Sequence, residues 1–225
     1  MANSHVEKTK QEGVSRQQAT VTSKPVYEFF KRFFDVVFSF LALLVLFLPF
    51  VIISVIILID SPGASPIFVQ NRVGKNGKEF RFYKFRSMVP NAESMLEDLL
   101  ADNEMDGPAF KITDDPRITR FGKFLRCSCI DELPQLLNIL KGDMSFVGPR
   151  PPLPREVAMY DEYQMQRLLV TPGLTCYWQV QPQRNNISFD EWMECDIRYI
   201  NERSLKTDIS IFFRTFGVVL CMDGK

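Results

Sequence analysis

The sequence predicts an α/β fold that is mostly helical, hung on an apolar N-terminal segment and carrying one small β-hairpin. Three observations lead there. Residues 36–59 hold no charged side chain, two β-rich runs flank a glycine-bounded turn, and apolar residues recur at helical spacing through most of the chain beyond that turn. At 225 residues, 46% hydrophobic and 24% charged, the chain has room for one compact domain plus an accessory element. Its 27 Lys and Arg balance 27 Asp and Glu, so no overall field draws nucleic acid, and a basic site must come from local clustering. Five cysteines form no CxxC pair and the single histidine, His5, lies in the polar N-terminal stretch, which argues against a structural zinc and for a reducing compartment.

Residues 1–24 are rich in Lys, Glu, Gln, Ser and Thr and read as a disordered polar tail, unlike a signal peptide because the apolar run begins too late. Residues 25–60 form the membrane segment. A helix over 36–59 would reach about 36 Å at about 1.5 Å per residue, against a hydrocarbon core of about 30 Å. Pro49 near its middle removes a hydrogen bond, frees the carbonyl of Val45 and bends the axis. Lys31 and Arg32 precede the run and Arg72, Lys75 and Lys78 come after it, so the positive-inside tendency puts both flanks on the cytoplasmic side. A re-entrant hairpin satisfies that symmetry; a kinked single span satisfies the length.

The turn Asp60-Ser61-Pro62-Gly63 opens the cytosol-facing portion, residues 61–225. Residues 67–70 and 80–86 predict strands joined through Gly74-Lys75-Asn76-Gly77, with Lys84 and Arg86 on one face of the second. Apolar spacing predicts a packing helix over 91–100. A second helix, starting at Asp115-Pro116, sets Ile118, Phe121 and Leu125 against a basic face of Arg117, Arg120, Lys123 and Arg126, a pattern suited to a membrane interface.

Asp131-Glu132-Leu133-Pro134-Gln135 opens the next helix, with Leu133, Leu136, Leu137 and Leu140 on one stripe and Gly142 just past its end. Two carboxylates at a helix start, among basic residues, are the strongest candidates for chemistry, since unpaired N–H groups there hold both a carboxylate and a phosphate. A plain N-cap meets the same local spacing. Downstream, Gly148-Pro149-Arg150-Pro151 fixes an arginine in a stiff loop, suited to bidentate phosphate contact or to a structural turn. Thr171-Pro172-Gly173 leads to Trp178 and Gln179 and the polar stretch Gln183-Arg184-Asn185-Asn186. Helical patterns then carry Trp192, Ile197 and Ile200, and a last apolar helix covers 209–220.

In order along the chain, these segments resemble the bacterial sugar transferase family, the monotopic phosphoglycosyl transferases. The resemblance runs from about Tyr27 to the C-terminus. It rests on the basic-flanked apolar segment with Pro49, on Phe82-Tyr83-Lys84-Phe85-Arg86-Ser87-Met88, and on Arg120-Phe121-Gly122-Lys123-Phe124-Leu125-Arg126. It continues through Asp131-Glu132-Leu133-Pro134-Gln135, Lys141-Gly142-Asp143-Met144-Ser145-Phe146-Val147-Gly148-Pro149-Arg150-Pro151 and Pro172-Gly173-Leu174-Thr175. One departure is Leu48, where the family often has Ser before the membrane-breaking proline.

The resemblance implies a re-entrant membrane hairpin on the cytoplasmic face of the bacterial inner membrane, and an enzyme passing a sugar phosphate from a UDP-sugar to polyprenyl (undecaprenyl) phosphate with release of UMP. That is the first membrane step of capsule, exopolysaccharide, O-antigen or glycoprotein glycan assembly. It makes Asp131 the nucleophile of a phosphosugar-aspartyl intermediate and Glu132 its helper, the two also facing Mg²⁺. Arg126, Arg150, Pro149, Lys84 and Arg86 become substrate contacts, with Gln179 toward the sugar. The alternative is a single-span anchor bearing a non-catalytic anion-binding domain. The sequence leaves the sugar and the oligomeric state open, a homo-oligomer included.

Overall fold

The computed structural model describes residues 17–104, 106–110, 112–181 and 187–220. It opens with two helices, α1 (Pro25–Val45) and α2 (Phe47–Asp60), bent by 62°. Among the described residues no single helix is long and apolar enough to cross a membrane, whereas the bent pair is, by length and composition. The break falls at Leu46, and Pro49 sits inside the first turn of α2 rather than at the bend. The reason is steric: a proline ring strikes the carbonyl four residues back, here Val45, so the distortion appears a turn upstream. Leu46 N–H still donates to Ala42 O at 2.8 Å and Phe50 N–H to Leu46 O at 2.8 Å, which keeps both flanks helical.

Helix α1 is inside out. Asp35 and Ser39 are buried, while Phe29 and Leu44 on the opposite side are each 67% exposed. Lys31 Nζ donates to Val147 O (2.9 Å) and pairs with Asp208 (2.6 Å); Asp35 Oδ1 accepts from Ser145 Oγ and Phe146 N–H, both at 3.1 Å. Arg32 donates to Ile139 O (2.7 Å) and Leu140 O (2.9 Å). Lys31 and Arg32, two of the basic residues that the sequence offered as topology signals, thus fasten α1 to the domain.

Strands β1 (Ile67–Val73) and β2 (Glu79–Phe85) form the expected antiparallel hairpin, with Ile67 opposite Phe85 and Val73 opposite Glu79. Its turn uses left-handed backbone at Asn76 (φ 57) and Gly77 (φ 78). The packing helix expected over 91–100 is instead a series of turns and a short 3₁₀ segment, Glu97–Asp102. Carbonyls that an α-helix would use are taken locally: Ser94 Oγ donates to Asn91 O (2.8 Å) and Arg117 Nη1 to Ala92 O (3.3 Å). The helix expected from Asp115 begins later, as α3 (Arg120–Cys127), because Asp115 clasps Arg117 at 2.9 and 2.6 Å and Thr119 takes the cap, accepting from Gly122 N–H.

The carboxylate helix divides. Residues Ile130–Gln135 wind as 3₁₀ and only then does α4 (Leu136–Lys141) begin, since Pro134 cannot donate to Ile130 and its ring crowds that carbonyl. Gly142 closes α4 in the left-handed region, φ 94, as its position past the apolar stripe implied.

Beyond it come β3 (Ser145–Val147), the one-turn helices α5 (Pro154–Val157) and α6 (Glu162–Met165), and β4 (Gly173–Thr175). β3 and β4 pair in parallel, Ser145 with Gly173 and Val147 with Thr175. The sequence pattern suggests only loops there. The pairing demands close approach: a Cβ on Gly173 would lie 2.0 Å from Gly148 N. Helix α7 (Phe189–Glu202), capped by Ser188 with Glu191, and α8 (Leu205–Leu220) complete the domain. One apolar cluster joins Val147, Met193, Ile197, Tyr199, Ile200 and Ile211; another joins Phe82, Leu136, Ile139 and Met144 under β2 and α4.

Of the tail expected to be disordered, residues 1–16 lie outside the described residues. Residues 17–24 run along the domain: Ala19 N–H donates to Gln166 (2.6 Å), Thr20 N–H to Asn201 (2.7 Å), and Arg203 to Thr22 O (2.7 Å). Apolar burial alone does not anticipate these hydrogen bonds.

Asn138, fully buried on α4, accepts from Tyr83 N–H (3.2 Å) and donates to Arg81 O (2.6 Å), sewing the helix to β2. Asn138→Leu leaves both strand groups without that partner and is expected to cost about 2 kcal/mol, read as a lowered Tm of the full chain in detergent micelles. An unchanged Tm would refute the role.

Candidate active site

Asp131 and Glu132 leave the 3₁₀ turn toward β2. Lys84 Nζ lies 3.0 Å from Glu132 Oε1 and 3.7 Å from Asp131 Oδ2, and Arg150 Nη1 lies 3.5 Å from the same Glu132 oxygen. Arg126, from the last turn of α3, donates through Nε to Ser87 Oγ at 3.0 Å and lies within the field of Asp131. Four elements therefore bring two carboxylates and three cations together.

The two acids differ in kind. Burial pushes the Asp131 carboxyl above the ordinary range; Lys84 opposes this most, and the neighbouring Glu132 adds to it. Burial acts on Glu132 in the same direction, but Lys84 and Arg150 outweigh it and hold the acid at about 2. Glu132 is thus the fixed anion that organises Lys84 and Arg150. Asp131, 6% exposed, has the more basic carboxylate of the pair and is the better candidate for bond formation.

The frame around them is stiff. Pro149 is buried and its carbonyl accepts from Gly173 N–H (2.9 Å), Pro151 O accepts from Arg72 (3.0 Å), and Pro152 O from Val73 N–H (2.9 Å). Arg167, itself buried, donates to Arg150 O at 2.9 Å and pairs with Asp196 at 2.8 Å. Arg32 satisfies the last carbonyls of α4 from outside. Sequence reasoning missed Asn138, Arg167 and Arg32 as site supports. A polar residue on the buried side of a helix was the available signal for Asn138; Arg167, with Leu168 after it, offered none.

Of the expected site residues, Asp131, Glu132, Lys84, Arg126 and Arg150 come together, with Pro149 holding the loop. Arg86 does not join them: its guanidinium donates to the carbonyl of Ser61, at the end of α2. Gln179 faces Cys176, whose Sγ lies 3.3 Å from its Oε1. Trp178, half-buried, packs against Trp192 at 4.7 Å between ring centres, at the edge of the apolar cluster. Gln183 to Asn186 lie outside the described residues.

Among the described residues no three His, Cys, Asp or Glu side chains group as metal ligands. Two adjacent carboxylates match a hard divalent ion that completes its shell from phosphate oxygens and water.

The model of the family described as bacterial sugar transferase matches residues 26–222. The chain belongs to this family. It is 48% identical over 194 residues to a galactosyl transferase, CpsE, of Streptococcus agalactiae serotype III, covering 86% of this chain and 43% of that protein. It is 42% identical over 200 residues to the undecaprenyl-phosphate galactose phosphotransferase of Salmonella typhimurium, covering 87% of this chain and 41% of the relative. The chain thus spans about two fifths of the length of these sugar transferases. The exopolysaccharide production protein ExoY of Sinorhizobium fredii, 37% identical over 212 residues, is matched over 93% of its length and 92% of this chain.

The Arg167–Asp196 pair behind Arg150 sets a pH dependence. Burial lifts the Asp196 carboxyl to about 6 although Arg167 pulls it down. A folded-state pKa above the unfolded value near 3.9 means the native protein binds the extra proton between about pH 4 and 6, so this group's contribution to stability rises as pH falls through that window. Asp196→Asn is expected to remove that component from the pH dependence of unfolding free energy; an identical slope in wild type and variant would contradict it.

Proposed function

We propose that this chain transfers a sugar 1-phosphate from a UDP-sugar to a polyprenyl phosphate such as undecaprenyl phosphate, releasing UMP, at the cytoplasmic face of the bacterial inner membrane. The observation that carries the reading is Asp131, a buried carboxylate among Lys84, Arg126 and Arg150, on a scaffold fastened to a helix whose apolar side faces outward. The relatives' names point the same way: one is named for undecaprenyl-phosphate galactose phosphotransfer and another for exopolysaccharide production.

In this mechanism an Asp131 oxygen attacks the sugar-bearing phosphorus of the diphosphate. The bond from that phosphorus to the bridging oxygen breaks, and UMP departs with the electron pair. An oxygen of the polyprenyl phosphate then attacks the same phosphorus, the aspartyl oxygen leaves as carboxylate, and polyprenyl-diphospho-sugar forms. Carboxylate and diphosphate repel, so Lys84, Arg126 and Arg150 offset the charge gathering at phosphorus. Asp131 and Glu132 would hold a Mg²⁺ ion, which supplies further charge neutralisation on the diphosphate when bound. Glu132 orients Lys84 and Arg150.

The bent pair α1–α2 serves as a re-entrant hairpin, entering and leaving on one face. Drawing a polyprenyl tail out of the bilayer costs about 0.8 kcal/mol per CH₂, so the enzyme comes to the headgroup plane instead. The place in biosynthesis is the first membrane step of capsule or exopolysaccharide assembly.

With a panel of UDP-hexoses and Mg²⁺ but no lipid acceptor, the wild-type chain is expected to release UMP in a burst of about one equivalent and to gain one sugar-phosphate mass on Asp131. Asp131→Asn should lower turnover by at least about a thousandfold while folding normally, and chelation by EDTA should stop turnover until Mg²⁺ is restored. Strictly lipid-dependent UMP release without an adduct would overturn the covalent mechanism.

A further inference from the structure

Arg86 stands two residues beyond Lys84, a step of about 7 Å along extended chain, on the side of the domain where α2 ends. Its N–H donates to Pro66 O at 2.8 Å, and its Nη2 to the carbonyl of Ser61, the residue that caps α2. The residue is 7% exposed, yet Nε and Nη1 have no hydrogen-bond partner among the described residues. Burial pushes the guanidinium down, and among the described residues no carboxylate pulls it back. Asp131 and Glu132, the acids of the site, are engaged with Lys84 and Arg150.

A buried guanidinium with two idle donors and no counter-ion among the described residues is an unfavourable arrangement unless an anion completes it. A planar pair of N–H groups fits two oxygens of one phosphate. The surroundings select the kind of phosphate. Phe85, beside Arg86, packs against Ile57 of α2 and touches Phe50, and Val55, Leu58 and Ile59 leave the outer side of α2 apolar. On the other side Ser87 Oγ holds Arg126, whose field reaches Asp131.

We propose that Arg86 receives the phosphate of the lipid acceptor at the end of α2, with the prenyl chain lying along the outer apolar side of that helix. The nucleotide-sugar diphosphate and the lipid phosphate would then occupy separate arginine sites on either side of Ser87, which keeps two anions apart until each reacts in turn. The assignment rests on the acceptor being a lipid phosphate, as proposed above.

The test reads binding without turnover. Full-length wild type, R86Q and R86K in phosphatidylcholine nanodiscs are titrated with a polyprenyl phosphate, the corresponding polyprenol, and phosphatidic acid. A lost pair of charge-assisted hydrogen bonds should weaken polyprenyl phosphate binding at least about tenfold in R86Q, with R86K recovering part of the loss and polyprenol unaffected. KM for the polyprenyl phosphate should rise in parallel while KM for the UDP-sugar stays within about twofold. Equal binding of polyprenyl phosphate by all three proteins overturns the site. So does an equal loss for polyprenol, which would make Arg86 a prop for α2, or a loss confined to phosphatidic acid, which would assign it to bilayer lipid. Absence of any UMP release would sink the reaction proposed above and leave this binding result standing.

Discussion

The structure depends on one inversion: α1 turns its polar stripe inward and its aromatic residues outward. Lys31, Arg32, Asp35 and Ser39 fall on a single helical face, and the first three are spent on the domain rather than on water. A soluble amphipathic helix does the opposite. The exposed phenylalanines at 29, 33, 38 and 40 would be unfavourable in water, whereas hydrocarbon accepts them without loss. The polar contacts gain correspondingly, because Lys31 between Asp208, Tyr199 and Val147 O works in a partly buried site of lower polarity than water.

That inversion reaches the carboxylates through short links. Arg32 closes the C-terminal end of α4, Asn138 in the middle of α4 grips β2, and the 3₁₀ turn ahead of α4 carries Asp131 and Glu132 against Lys84 of β2. Each link is a hydrogen bond or ion pair between rigid elements, so the height of Asp131 relative to α1 is fixed rather than adjustable. On the proposed reading this matters chemically, because the lipid phosphate can move little along the bilayer normal.

How much the sequence made legible depends on the range of the interactions. The apolar segment, the β-hairpin and the left-handed Gly142 are set by neighbours in the chain, and each is readable there. Lys84, Arg126, Asp131, Glu132 and Arg150 stand out by motif, and the fold brings them to one site. Arg86 looks equivalent to Lys84 by strand alternation, but the strand ends at Phe85 and the next residue turns toward Ser61. The parallel pairing of β3 with β4 is hidden because strands of three residues carry no periodicity, and only the glycines at 148 and 173 hint at the close approach. Helix starts at Asp115 and in residues 91–100 are misplaced for one reason: Asp115, Ser94 and Arg117 form local hydrogen bonds that compete with helix, and propensity does not register them.

The uneven charge states of the adjacent acids complete the argument. Were Asp131 and Glu132 equally stabilised as anions, Lys84 would divide itself between them and neither would be distinguished. The geometry breaks that symmetry: Lys84 sits 0.7 Å nearer Glu132, from 3.0 against 3.7 Å, and Arg150 joins on the same Glu132 oxygen. Glu132 therefore absorbs most of the available positive charge and stays a permanent anion, while Asp131 keeps the higher basicity that burial imposes. One carboxylate holds Lys84 and Arg150 closely, and the other, under the weaker pull of Lys84, is the one the proposed chemistry uses.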